Sequence, residues 1–155
     1  MKFTRRQFLG SSAAAVLTAG TMARGTVFGA NDRISVCCIG IHGQGISHIQ
    51  DILKMQDAEI VALCDVDSDV LESKGKMVEK ETGKKPKLYK DVREVMADNK
   101  IAAITTATPN HWHSLISVWA CQAGKDVYVE KPLSHNIWEG RQLVAAADKY
   151  KRIVM

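Results

Sequence analysis

A short apolar run, Ile34–Ile39, breaks at Gly40-Ile41-His42-Gly43-Gln44-Gly45 and resumes as a stretch with Ile46, Ile49 and Leu53 at helical spacing. Three glycines in six residues at a strand-to-helix junction leave few folds open. The pattern fits an open sheet in which a strand turns tightly into a helix that packs back onto it. A G-x-G-x-x-G turn in that setting uses its first glycine for the tight bend, its second for close approach of backbone to a diphosphate, and its third for helix-to-strand packing. Gly40 and Gly45 hold the first and third places, while His42 stands in the second with Gly43 beside it. The helix beginning near Gln44 would aim free N–H groups and the positive end of its dipole at a phosphate.

The rest of the body repeats the alternation. Residues 59–64 read as a second strand, 69–82 as a charged helix burying Leu71, Met77 and Val78, and Gly83 as its terminating glycine. Asp91 opens a short helix, 101–105 supplies a third strand, and Trp112, Leu115, Ile116, Trp119, Ala120 and Ala123 recur at helical spacing up to Gly124. On that spacing Trp112 and Trp119 share a face and are expected in the core. Residues 125–129 form a fourth strand, 136–150 a helix with Ile137, Val144 and Ala147 inward, and 152–155 the start of another strand. The expected fold is therefore α/β, a doubly wound parallel sheet of Rossmann type over residues 31–155.

Asp65, at the end of the second strand, lies twenty positions past Gly45. An acid there accepts hydrogen bonds from the adenosine ribose and repels a 2′-phosphate. Val66-Asp67-Ser68-Asp69 offers no cation to compensate, so NAD is favoured over NADP. Asp65 is alternatively a turn or capping aspartate.

Charge separates the leader from the body. Lys2, Arg5, Arg6 and Arg24 fall in the first thirty residues, which contain no acid, and the remainder holds 17 basic residues against 17 acidic ones. A balanced body argues against a nucleic-acid partner. Residues 1–30, with Arg5-Arg6 ahead of a small and apolar run, resemble a twin-arginine signal, which implies export of a folded chain by the Tat machinery and a periplasmic or otherwise exported location. A membrane anchor is the alternative, but the run is shorter than the roughly 20 apolar residues that span a bilayer. Cys37, Cys38, Cys64 and Cys121 show no metal-ligand spacing and are expected as buried free thiols. His111 and His113, two apart, fall on different helix faces, so no metal site is expected.

Two further segments, Thr108-Pro109-Asn110-His111-Trp112-His113 and Glu130-Lys131-Pro132, together with the glycine turn and Asp65, resemble the Gfo/Idh/MocA oxidoreductase family over roughly residues 33–155. The resemblance implies a nicotinamide dinucleotide cofactor bound through Gly40, His42, Gly43, Gln44, Gly45, Asp65, Thr108, Asn110, His113, Glu130 and Lys131. It makes Lys131 the catalytic residue, beside the nicotinamide and the substrate hydroxyl. Pro132 favours an extended Lys131, and partial burial at a strand end would lower the amine's pKa. Asn110 is alternatively the N-cap of the following helix. His48 reads as a packing or surface residue.

The resemblance also implies a carbohydrate-like substrate, a sugar, sugar derivative or cyclitol oxidised by hydride transfer, and leaves a homo-oligomer open. Family members carry a second, α+β substrate domain, so the expectation is a truncated chain that binds cofactor but lacks its substrate wall. Two alternatives stand beside this: an NAD-dependent glycosidase of the same superfamily, and a silent binding module in which His42 blocks the diphosphate.

Overall fold

The computed structural model describes residues 33–155, and the leader lies outside the described residues. Five parallel strands, β1 (Ile34–Ile39), β2 (Ala58–Cys64), β3 (Lys87–Tyr89), β4 (Ala103–Thr106) and β5 (Asp126–Val129), stand in the order β3-β2-β1-β4-β5. Between them run α1 (Gln44–Lys54), α2 (Ser68–Thr82), α3 (Val92–Ala97), α4 (Asn110–Gln122) and α5 (Ile137–Tyr150). The order reverses at β1, which makes the crevice beyond the carboxyl ends of β1 and β4 the switch point where such sheets take ligands. Val154 bridges Val127 in parallel, so a sixth strand begins on the β5 edge, as the sequence predicts for residues 152–155.

Period-two alternation in β1 divides the core. Val36 and Cys38 face Ile49, Ile52, Leu71 and Val78 of α1 and α2, whereas Cys37 and Ile39 face Ile116, Ala120 and Cys121 of α4 with Leu143 of α5. Both faces of the sheet are thus covered, which is why its strands read as continuous apolar runs. All four cysteines are free and buried, and burial pushes the Cys38 and Cys64 thiols up to about 12. Lys125 is 2% exposed, yet its Nζ donates to Asp98 O at 2.7 Å and Ile101 O at 2.9 Å, fastening the loop before β4 to the start of β5. The desolvation holds its amine below the ordinary lysine range.

Helix starts differ in a way that bears on the site. Asp67 caps α2 by accepting from Asp69 N and Val70 N, Asp91 caps α3 through Arg93 N, and Asn136 caps α5 through Glu139 N. The caps of α1 and α4, Gly43 and Pro109, have no side-chain bond. The first N–H of each helix, on Gln44 and Asn110, has no partner among the described residues, whereas Gly45, Ile46 and Trp112 donate to His42 O, Gly43 O and Pro109 O.

Several expectations need correction. The predicted third strand is fourth in chain order, because the edge strand β3 precedes it. In α5 the core side is Leu143 and Ala146, while Ile137 and Val144 are exposed; apolar residues surround this helix, so periodicity does not single out the inner face. In α4 the buried face is His113, Ser114, Ile116, Ser117, Ala120 and Cys121; Trp112 is 39% exposed and Trp119 half-buried. The α4 cap is Pro109, so Asn110 is the first helical residue and not the cap. No helix among the described residues is long and apolar enough to cross a membrane.

Candidate functional site

The glycine turn folds as its spacing demands. Gly40 has φ 72°, and its N–H donates to Cys64 O at 2.9 Å, drawing the turn against the end of β2. A Cβ on Gly45 would lie 2.0 Å from Gly40 O, so only glycine lets α1 start this close. Gly43, also at positive φ, has nothing within 4 Å of a Cβ position, and open space adjoins the free end of α1. His42 is exposed in that turn.

Asp65 serves both sides of the crevice. Its Oδ2 accepts Ile41 N–H at 2.9 Å and its Oδ1 accepts Asp67 N–H at 3.0 Å, so the carboxylate stitches the glycine turn to the loop after β2. Each oxygen retains acceptor capacity for a hydroxyl. Beside it opens a cavity of about 580 Å³ lined by Gly40, His42, Asp65 and Val66 on one side and by Thr108, Pro109 and Trp112 on the other. Lys90, Asp91 and Val92, after β3, line a further part of it. Trp112 is thus a wall of the crevice that hydropathy had placed in the core.

The loop after β4 and the tripeptide after β5 are joined by one buried side chain. His113 Nδ1 lies 2.7 Å from Pro132 O and Nε2 lies 2.7 Å from Thr108 O. A neutral imidazole has one N–H and satisfies one of these carbonyls, whereas an imidazolium satisfies both. Ser114 Oγ donates to Leu133 O at 3.3 Å on the same side. Thr108 Oγ1 lies 3.1 Å from Thr106 Oγ1. His113 therefore places Thr108 and the tripeptide and does not line the cavity.

Glu130 ends β5 with its N–H on Thr106 O at 3.0 Å. Its carboxylate accepts His48 Nε2 at 2.9 Å and Gln44 Nε2 at 3.1 Å from α1, and Lys131 N–H at 3.1 Å. The His48 bond, aided by Gln44 and Lys131, holds the Glu130 carboxyl below the usual range. Lys131 is exposed, and so is not partly buried as its strand-end position suggested; the Lys131-Pro132 peptide is cis. Asn110 is exposed at the start of α4. His48 is no bystander: it is buried and bonded to the tripeptide. Among the described residues, no group of three or more His, Cys, Asp or Glu is arranged to hold a metal ion.

Known proteins resemble this chain in sequence and fold. A family model described as an oxidoreductase family with an NAD-binding Rossmann fold matches residues 34–155. A glycosyl hydrolase family 109 protein of Shewanella pealeana is 29% identical over 178 aligned positions, covering 100% of this chain and 39% of the relative. One from Akkermansia muciniphila is 26% identical, covering 80% of this chain and 27% of the relative. Among solved structures, myo-inositol 2-dehydrogenase from Lactobacillus plantarum superposes with TM-score 0.71 at 25% identity, covering 80% of this chain and 36% of that one. The WlbA dehydrogenase of Bordetella pertussis, solved with NADH and UDP-GlcNAcA, gives TM-score 0.70 at 25% identity, covering 79% of this chain and 36% of that one. The chain spans roughly a third of the length of such relatives. With its glycine turn, acid-stitched crevice and Glu130-Lys131-Pro132 turn, the chain belongs to the Gfo/Idh/MocA oxidoreductase family and carries that family's NAD-binding Rossmann domain.

Proposed function

We propose that this chain is the cofactor-binding domain of an exported NAD-dependent oxidoreductase acting on a sugar, sugar derivative or cyclitol. One observation carries the reading: α1 and α4, the two helices flanking the switch point, start without side-chain caps, and the crevice is lined by Gly40 and His42 of the turn into α1 and by Pro109 and Trp112 at the start of α4. The residues fit a dinucleotide. The Gly40–Gly45 approach leaves no room for a Cβ, Gly43 faces open space, and about 580 Å³ beside Asp65 is space for an adenosine.

When bound, NAD supplies the hydride acceptor. The residues bind and orient it. The unpartnered N–H of Gln44 and the positive end of the α1 dipole would hold the diphosphate, and the spare acceptor capacity of Asp65 would take ribose hydroxyls. The Trp112 face and Pro109 bound the adenine, and Thr108 and Asn110 offer polar contacts further along the crevice. Lys131, which makes no ion pair among the described residues, would hold the substrate hydroxyl and, in its neutral form, take its proton as hydride leaves the same carbon for NAD. The sugar-like substrate class rests on the family and on the nucleotide-sugar complex of the WlbA relative.

Calorimetric titration tests the binding step. Saturable binding of NAD, with NADP at least about tenfold weaker, is the expected result; a tenfold ratio is about 1.4 kcal/mol of selectivity. Absence of saturation at millimolar NAD overturns the reading in favour of a silent module. In that case a His42→Gly variant that gains binding identifies crowding as the cause. A second reading, net redox-neutral glycoside cleavage, is favoured by the glycosyl hydrolase family 109 description of the sequence relatives. Release of aglycone without net NADH formation by the full-length protein would establish it. Export is tested by fusing residues 1–30 to a folded reporter, where replacing Arg5 and Arg6 by lysine should retain the reporter in the cytoplasm.

A further inference from the structure

The Glu130 carboxylate is held from a helix 82 residues away in the chain. His48, 8% exposed, lies on the inner side of α1 with its ring edge-on to Tyr128, centroids 5.4 Å apart. Its Nδ1 has no partner among the described residues, where the Nε2 bond to Glu130 is the one hydrogen bond this buried ring makes. Burying an imidazole for packing alone wastes its hydration, and an aliphatic side chain would fill the space at lower cost. Gln44, one helical turn earlier, holds the same Glu130 oxygen from the first residue of α1, immediately beside Gly43 and Gly45. The other Glu130 oxygen accepts the backbone N–H of Lys131. One carboxylate thus connects the phosphate-facing end of α1 to the residue that carries the amine.

We propose that His48 and Gln44 are positioning residues for Lys131: through Glu130 they register the Lys131 turn against the glycine turn, so that a dinucleotide seated on α1 fixes the Lys131 amine. The inference rests on the cofactor reading above and adds the residues that link its two ends. His48 touches neither cofactor nor substrate and acts through Glu130. Without it the Glu130 carboxylate keeps only the exposed Gln44 bond and its neighbour's N–H, and the Lys131 turn, still held at Pro132 O by His113, loses its buried tie to α1.

Competitive acetylation of the whole chain with acetic anhydride, read by mass spectrometry with and without NAD, reports the Lys131 amine directly, with exposed Lys76 on α2 as reference. NAD should slow Lys131 labelling by about fivefold or more in the native chain, the lower end of usual site-to-site coupling. His48→Ala should cut that protection below about twofold, and His48→Gln, whose amide reaches as Nε2 does, should restore it. Gln44→Ala, a surface change that leaves the core intact, should weaken the protection in the same direction. Calorimetry on the native chain separates the two levels: no NAD binding refutes the cofactor reading and this inference with it. Native binding with full Lys131 protection retained in His48→Ala and Gln44→Ala overturns the positioning role alone. Failure of His48→Gln to restore protection in a folded chain likewise overturns it.

Discussion

Gly45→Ala should break the site, whereas the same change at Gly75 should not. The added Cβ at Gly45 would sit 2.0 Å from Gly40 O and 2.9 Å from Gly40 C. Ordinary carbon-to-oxygen contacts lie at about 3.3 Å, so more than about 1 Å of separation has to be found. The obstacle is backbone, and it cannot swing aside. Gly40 is held by its bond to Cys64 O, and a shift toward β4 meets Thr108, whose atoms already lie 2.8 Å from a Gly40 Cβ position. The start of α1 must move instead, against Ile49 and Ile52, which are packed in the core. Forced overpacking of this kind costs about 1–3 kcal/mol, and the rigidity of both partners places Gly45→Ala at about 3 kcal/mol. For a domain of this size that lowers Tm by roughly 10 °C. Gly75, in the middle of α2, would bring its Cβ to 3.1 Å from the end of the exposed Leu88 side chain, which can yield. Relief of glycine's chain entropy there is worth about 0.5–1 kcal/mol, so Gly75→Ala should be neutral or slightly stabilising. Thermal unfolding of the two variants with parallel NAD titration is the assay. Equal melting temperatures, or a Gly45→Ala chain that binds NAD like the parent, would refute the close-approach argument.

Other expectations follow from the same geometry. Cys38 and Cys64, pushed up to about 12 when folded, stay protonated where unfolded thiols ionise. Their contribution is intact below an unfolded pKa of about 9 and is lost as pH rises toward 12, which removes about 1.4 kcal/mol per thiol by pH 10; urea midpoints from pH 8 to 10.5 should fall, less steeply in Cys38→Ala. Lys125→Met keeps the stem but leaves Ile101 O without its donor and Asp98 O with the Ile101 N–H alone, and urea unfolding should show a loss of about 1–3 kcal/mol; no loss would mean that the amine's desolvation cancels its bonds. Asp65→Ala should loosen the glycine turn and narrow the preference for NAD over NADP by about tenfold in calorimetry, since the repelling charge is gone. Trp112→Ala should weaken NAD binding by about tenfold with little change in Tm, because the indole lines the crevice and is not core; loss of stability without loss of binding would contradict that placement.

The order of strands and helices was legible in the sequence wherever apolar period and punctuation coincide. Gly40–Gly45 starts α1, Gly83 at φ 71° ends α2, and Gly124 at φ 75° follows α4, each at a change of period. Strand β3 was not legible. Lys87-Leu88-Tyr89 is three residues long, lies at the sheet edge and is mostly exposed, so it carries no alternation to read. It is held from outside by the Asp98 carboxylate, which accepts Lys87 Nζ at 2.7 Å and Tyr89 OH at 2.8 Å.

Within the site, the local motifs were legible and the bonds between them were not, and α4 shows the physical reason. Hydropathy places the indole of Trp112 inside and leaves the neighbouring imidazole of His113 unassigned, whereas the structure reverses them. Hydropathy measures the cost of leaving water but not the return from a partner that the fold brings from elsewhere. Thr108 O and Pro132 O are main-chain acceptors at the ends of two different strands, and the side chain between them has to donate. Leu at position 113 would fill that space and leave both carbonyls unpaired. Ser117 follows the same rule one turn later, its hydroxyl bonded to His113 O at 2.7 Å. The inner face of α4 is therefore polar where it meets the loops and apolar, at Ile116 and Ala120, where it meets the sheet. That division turns Trp112 toward the crevice, and His48 is hidden from sequence reading for the same reason: its partner, Glu130, follows β5 at the far end of the chain and is not on its own helix.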